Sequence, residues 1–121
     1  MMVRAMDRRR LAPERRQAER APLVAAVEHR VGGELQLALA QDVGENGIKL
    51  KRVAGRTYLP RTPVMMAFEL PDGGELVRVR GAIVFERAEG NYQSTGVRFE
   101  DLSPLDHARI VRFIARHRRG L

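Results

Sequence analysis

Cysteine is absent from the chain. That excludes a disulfide scaffold, a thiolate zinc site, an iron–sulfur cluster and a cysteine nucleophile. No stretch approaches the ~18 consecutive apolar residues that a membrane-spanning helix requires. The first residues, Met1 to Arg10, are arginine-rich and hold no apolar run, so they do not read as a secretory signal. A reducing, cytoplasmic setting is the expectation. Serine occurs only at 94 and 103, and neither a Gly-x-Ser-x-Gly elbow nor a Walker phosphate loop is present. Histidine occurs only at 29, 107 and 117. His107 and His117 would stand roughly 15 Å apart along a helix, too far to share a metal. Acidic residues fall mostly at turns and on polar faces, so no catalytic carboxylate pair can be picked out. The expectation is a protein that is not an enzyme and holds no metal or cofactor.

What is present is arginine. Lys plus Arg number 22 against 15 Asp plus Glu, a formal charge of +7, and every cation except Lys49 and Lys51 is arginine. The planar guanidinium fork suits bidentate contact with phosphate or a guanine edge. A genomic bias towards arginine codons would raise the number alone, so placement carries more information. Residues 1–20 hold seven arginines against three acids, with no sustained apolar period and with Pro13 interrupting them. They read as a flexible basic arm, unable to bury enough surface to order itself.

Residues 21–121 read as one domain. Strands are expected at Leu23–Arg30, Glu34–Gln41, Gly47–Arg52, Pro63–Leu70, Glu75–Arg87 and Tyr92–Glu100. Leu35, Leu37 and Leu39 share one face. The inward set of the fifth strand is expected to be Val77, Val79, Gly81, Ile83 and Phe85, and Phe68 and Phe99 share that phase. Asp42–Gly47 reads as a tight loop, Pro71-Asp72-Gly73-Gly74 as a hairpin turn, and Gly96 as a bulge. A helix over 103–118 follows, with Ser103 as N-cap, Pro104 in its first position and arginines late, where the dipole favours cations. The fold class is therefore all-β with one C-terminal helix. Six short antiparallel strands point to a closed barrel, the helix capping one opening or packing outside.

Two short constellations stand out: Arg16-Gln17-Ala18-Glu19-Arg20, and Asp42-Val43-Gly44-Glu45-Asn46-Gly47. Each alone is a common pattern, a solvated leader and an ordinary turn. Their order gives them joint value. Together with Gly96-Val97-Arg98-Phe99 and Asp101-Leu102-Ser103-Pro104, they make the chain resemble the PilZ domain family over roughly residues 14–118. The family pattern is Arg-x-x-x-Arg followed by Asp/Asn-x-Ser-x-x-Gly on a six-stranded barrel. One departure is plain: Gly44 stands at the serine position.

The resemblance implies a receptor for cyclic di-GMP that signals by ordering of its arm. The chemistry of the residues suits that ligand. Guanine offers O6 and N7 acceptors to an arginine fork. Its N1–H and N2–H₂ donors suit Asp42. Arg16 and Arg20 would clamp guanine and phosphate. Gly44 and Gly47 would let the backbone come close and adopt positive φ. Arg15 would add a stacking or phosphate contact, and by resemblance an arginine there favours two intercalated ligands per protomer. Lys49 and Arg98 are second-tier ligand residues. The expected partners are cyclic di-GMP and an unidentified downstream protein, with no membrane span. Two alternatives stand beside this reading. One is a ligand-silent adapter that keeps the barrel and binds protein. The other, less favoured, is a small nucleic-acid-binding barrel, for which Tyr58 and Tyr92 make only a thin stacking platform.

Overall fold

The computed structural model describes residues 19–53 and 55–118. Within them the alternating segments form seven strands: β1 (Arg20–Pro22), β2 (Ala26–Val31), β3 (Glu34–Gly44), β4 (Gly47–Val53), β5 (Pro63–Phe68), β6 (Val77–Glu89) and β7 (Tyr92–Phe99). One helix, α1 (Pro104–Arg118), follows. Pairing runs β3–β2–β5–β6–β7–β4, and β4 returns to β3, which closes a six-stranded antiparallel barrel. Closure leaves no long apolar edge to pair with another chain.

The expected first strand, Leu23–Arg30, is split. β2 pairs with the first half of β3, whereas β1 pairs with its last three residues, Arg20 opposite Gly44 and Pro22 opposite Asp42. The joint stays bonded: the Leu23 N–H donates to the Gln41 carbonyl at 3.1 Å, and the Ala40 N–H to the Ala25 carbonyl at 2.8 Å. The chain therefore enters the sheet three residues earlier than its alternation suggests. Residues 1–18, most of the expected arm, lie outside the described residues.

Val27, Val43, Ile48, Leu50, Phe68, Ile83 and Val97 are buried inside the barrel. Each such side chain contributes roughly 1.5–3 kcal/mol relative to exposure. The three leucines of β3 do share a face, but it is the outer one: Leu35, Leu37 and Leu39 are 53%, 68% and 55% exposed, while Ala38 and Ala40 point inward. These small residues stand opposite the larger buried Val27 and Leu50 of the neighbouring strands.

Two β-bulges then change the phase. In β3 the register shifts between Ala40 and Asp42, and in β6 between Ile83 and Phe85. A bulge adds one residue to one strand and so exchanges inward and outward positions beyond it. Phe85, expected inside, is thereby turned outward, and Glu86 is turned in. Gly96, expected to be a bulge itself, is regularly paired with Phe85 and stands opposite the bulge.

The inward Glu86 meets Arg52, with side-chain exposures of 2% and 5%. Arg52 Nη2 donates to the Glu86 carboxylate at 2.8 Å and to the Arg56 carbonyl at 2.9 Å, and Nε donates to Thr95 Oγ1 at 3.0 Å. The Tyr58 N–H and the Thr95 hydroxyl complete the carboxylate shell. Burial alone would raise the Glu86 carboxyl. The Thr95, Tyr58 and Arg52 bonds outweigh it and hold the group below its ordinary value. This network ties the connection after β4 to the wall of the barrel.

The helix begins as its caps dictate. The Asp106 N–H donates to Ser103 Oγ at 3.1 Å, and Ile110 and Ile114 are buried. Arg109 was not foreseen. It reaches back to the β5–β6 connection, where Nε and Nη2 each donate to the Asp72 carboxylate at 2.9 Å. Asp72 also accepts the Gly74 N–H at 2.9 Å. The Arg109 guanidinium, first, and the Gly74 amide hold the Asp72 carboxyl well below the usual carboxylate range.

Removing one member of a buried ion pair strands the other. Glu86→Ala is expected to cost about 3–5 kcal/mol and to lower Tm by roughly 10–20 °C, read by thermal unfolding. The Asp72 carboxyl has a folded pKa below its unfolded value of about 3.9, so its contribution is complete above about pH 5 and is lost as pH falls below about 4. Asp72→Asn is expected to cost roughly 1.5–3 kcal/mol at pH 7, with the gap to wild type shrinking below about pH 4. Denaturant melts across that pH range check it.

Candidate functional site

The bulge in β3 places Asp42 on the outer wall, and β1 lies beside it. Arg20 crosses diagonally from β1. Its Nε donates to Asp42 Oδ1 at 2.6 Å, and its Nη2 donates to the Gly47 carbonyl at 3.4 Å. The two side chains are 35% and 29% exposed. Of the sequence-predicted site residues, Arg20, Asp42, Gly44 and Gly47 therefore converge. Arg15 and Arg16 lie outside the described residues.

The segment Asp42–Gly47 is not the tight loop expected of it. β3 runs to Gly44 and β4 starts at Gly47, leaving Glu45 and Asn46 to turn the chain. Nor do Gly44 and Gly47 take positive φ; in the described chain glycines 32, 33, 73 and 90 do. The two site glycines serve close approach instead. A Cβ on Gly44 would stand 3.0 Å from Arg20 Nη1 and 3.3 Å from its Cγ, so the missing side chain is what lets Arg20 lie across β3. A Cβ on Gly47 would collide with the Val97 carbonyl of β7.

A transverse row continues the site around the barrel. Asp42 pairs with Lys49, Lys49 with Gly96, and Gly96 with Phe85, across β3, β4, β7 and β6. A cavity of about 500 Å³ follows this row, lined by Arg20, Asp42, Lys49, Gly96, Phe85 and Arg87. Phe85 and Arg87 escape a sequence reading because alternation puts Phe85 inside until the bulge is known. Arg98 faces outward beside Gly47 but pairs with Glu100 at 3.1 Å and does not line the cavity. The helix touches the segments on either side of the site. His107 Nε2 lies 3.2 Å from Glu45 Oε1 in the β3–β4 turn, and Arg118 Nη1 donates to Glu19 Oε2 at 3.0 Å just before β1.

The chemistry of the site is that of recognition. A carboxylate, three cations and a half-buried aromatic ring share one open cavity, which suits an anionic ligand bearing hydrogen-bonding bases. Among the described residues, no three His, Cys, Asp or Glu side chains converge as a metal site. No helix among them is long and apolar enough to cross a membrane.

The family model described as PilZ domain matches residues 14–116. No curated protein matches the sequence. Solved structures share the fold. One is the Bacillus subtilis inhibitor of motility (MotI/DgrA), with TM-score 0.76 and 11% identity, covering 84% of this chain and 50% of that one. A second is K. pneumonia MrkH in complex with c-di-GMP, with TM-score 0.69, 15% identity and coverage of 84% and 53%. A third is the PilZ domain of CeSA from a cellulose-synthesizing bacterium, with TM-score 0.59, 18% identity and coverage of 78% and 93%. The chain spans about half the length of the first two.

The two site glycines are expected to respond differently to a methyl group. Gly47→Ala must push the Val97 carbonyl away and is expected to cost about 1–3 kcal/mol. Gly44→Ala meets no backbone atom closer than 3.4 Å and needs the Arg20 side chain to give by a few tenths of an ångström at Nη1 and Cγ, so its stability is expected to stay within about 1 kcal/mol of wild type. Equal losses in thermal melts would contradict this assignment.

Proposed function

The chain belongs to the PilZ domain family, and from that premise we propose that it is a receptor for cyclic di-GMP. One juxtaposition carries the reading. Arg20 closes the Arg-x-x-x-Arg motif, Asp42 opens the second motif, and the two meet at 2.6 Å on the barrel wall. A protein of similar fold, MrkH, is itself described as a c-di-GMP complex.

In this reading the two motifs satisfy one another until the ligand arrives. Guanine's N1–H and N2–H₂ take over the Asp42 carboxylate, and its O6 and N7 take over the Arg20 fork. An ion pair as exposed as this one contributes about 0–1 kcal/mol, so exchanging it is easy. Arg15 and Arg16 approach from the arm and meet the second guanine or the phosphates. Gly44 and Gly47 keep the wall low, and Lys49 adds a cation. Arg98 is left with Glu100 and takes a lesser part. Ordering the arm costs backbone entropy of ~1–2 kcal/mol for each residue fixed. That cost makes the arm a switch, read by a downstream protein, and no covalent change is involved. Arg20–Pro22 stand in β1, so this reading assigns the ordering step to the residues before Glu19.

An adapter reading has one observation in its favour, the outward row Leu35, Leu37 and Leu39. It requires partner binding to persist without ligand. Calorimetric titration of cyclic di-GMP separates the two. The receptor reading expects saturable heat with wild type, and at least ~10-fold weaker binding in Arg16→Ala and Asp42→Ala, each losing a charge-assisted contact. Absence of heat at high micromolar ligand, with the partner bound equally by wild type and Arg16→Ala, would establish the adapter instead.

A further inference from the structure

We propose that the outer wall built by β2, β3 and β4 is a self-association surface, covered by a second copy of this chain in a two-fold dimer. The inference does not rest on the cyclic di-GMP reading. It concerns a part of the wall outside the candidate ligand cavity.

The leucine row of β3 is more than half exposed along its whole length, and Val24 and Val53 flank it at 96% and 84%. A monomer scatters its exposed apolar side chains singly, whereas a contiguous patch marks an interaction site. The shape of this patch is a ridge between two troughs. One trough, of about 370 Å³, lies on the β2 side and is lined by Val24, Ala26, Glu28 and Leu37. The other, of about 510 Å³, lies on the β4 side and is lined by Leu37, Leu39, Lys51, Val53 and Tyr92. Two copies set face to face can therefore seat each ridge in the other's trough. The closed barrel offers no long free strand edge, so association falls to its faces.

The charges beside the ridge select the occupant. Glu28 stands next to Leu37 on β2, and Lys51 stands next to Leu39 on β4. Both are exposed. Neither forms an ion pair among the described residues. The Lys51 ammonium instead lies 4.2 Å from the centre of the Tyr92 ring, at the rim of the β4-side trough. Within one copy the two charges cannot meet, because the leucine row and two strand spacings, roughly 10 Å, separate them. A two-fold axis parallel to β3, along its border with β4, exchanges the two sides. It carries Glu28 of each copy towards Lys51 of the other, so one rotation makes two identical ion pairs and covers both leucine rows. The same patch thus supplies a ridge and its trough, an anion and its cation. An isologous interface requires self-complementarity of this kind, and a foreign partner does not.

Sedimentation equilibrium of the full chain without ligand tests the proposal, on wild type, Leu37→Arg, Glu28→Lys, Lys51→Glu and the combined charge swap. Wild type is expected to show a reversible monomer–dimer equilibrium at micromolar concentration. Leu37→Arg sets a charge against the leucines of the second copy and is expected to be monomeric. Either single reversal places like charges together at both symmetric contacts, so the dimer Kd is expected to rise about 10-fold or more. The combined swap is expected to return to within about 3-fold of wild type. Lys51→Glu is the sharpest arm. It lowers the net charge of +7 and the general repulsion between copies, yet the proposal expects weaker association. Stronger association in Lys51→Glu, a dimer that survives Leu37→Arg, or a swap that does not recover overturns the proposal. A wild type that stays monomeric also overturns it and leaves the leucine row to the adapter reading. Thermal melts establish that each variant folds; if Leu37→Arg does not, the charge swap decides.

Discussion

The site depends on the pairing of three residues, Arg20–Pro22, with the far end of β3. The interaction is short, but it fixes where an arginine from the start of the chain meets an acid from the middle of it. The bulge at Gln41 supplies the other half by presenting Asp42 outward while Val43 stays in the core. Without the pairing, Arg20 would belong to the arm. Without the bulge, Asp42 would keep the inward phase of Ala38 and Ala40 and turn away from Arg20. Barrel closure and ligand chemistry are thus one construction.

The same chemistry, arginine against carboxylate, serves opposite ends at two places. Arg52 and Glu86 are almost fully enclosed and surrounded by further donors and acceptors. Separating them would strand a charge in the barrel wall, so the pair fixes structure. Arg20 and Asp42 are about one-third exposed. Water and salt compete with their attraction, and in the proposed receptor role an anionic ligand bearing donors of its own would displace it. Exposure, more than residue type, separates the structural pair from the exchangeable one.

Much of this was legible beforehand. Alternation located the strands, and Ser103-Pro104 marked the helix start to within a residue. The order of the two motifs named the fold family. What alternation cannot reveal is a change of phase. One extra residue in β6 sent Phe85 outward and Glu86 inward, and nothing between Ile83 and Arg87 announces it. Leu35, Leu37 and Leu39 mark a second limit, since a period of two identifies their shared face without saying which side holds the core. The glycines of the second motif suggested positive φ, whereas their need is steric and comes from Arg20 and Val97, residues distant in sequence. The part of the site that was missed, Phe85 with Arg87, lies beyond a bulge.

The most direct measurement is backbone amide NMR of the full chain during a cyclic di-GMP titration, with hydrogen exchange recorded at both ends. The account expects the largest shifts along Asp42, Gly44, Lys49 and Gly96, and slower exchange between residues 8 and 18 once ligand is bound. Shifts confined to the outer face around Leu35–Leu39, or saturation with exchange unchanged before Glu19, would contradict it.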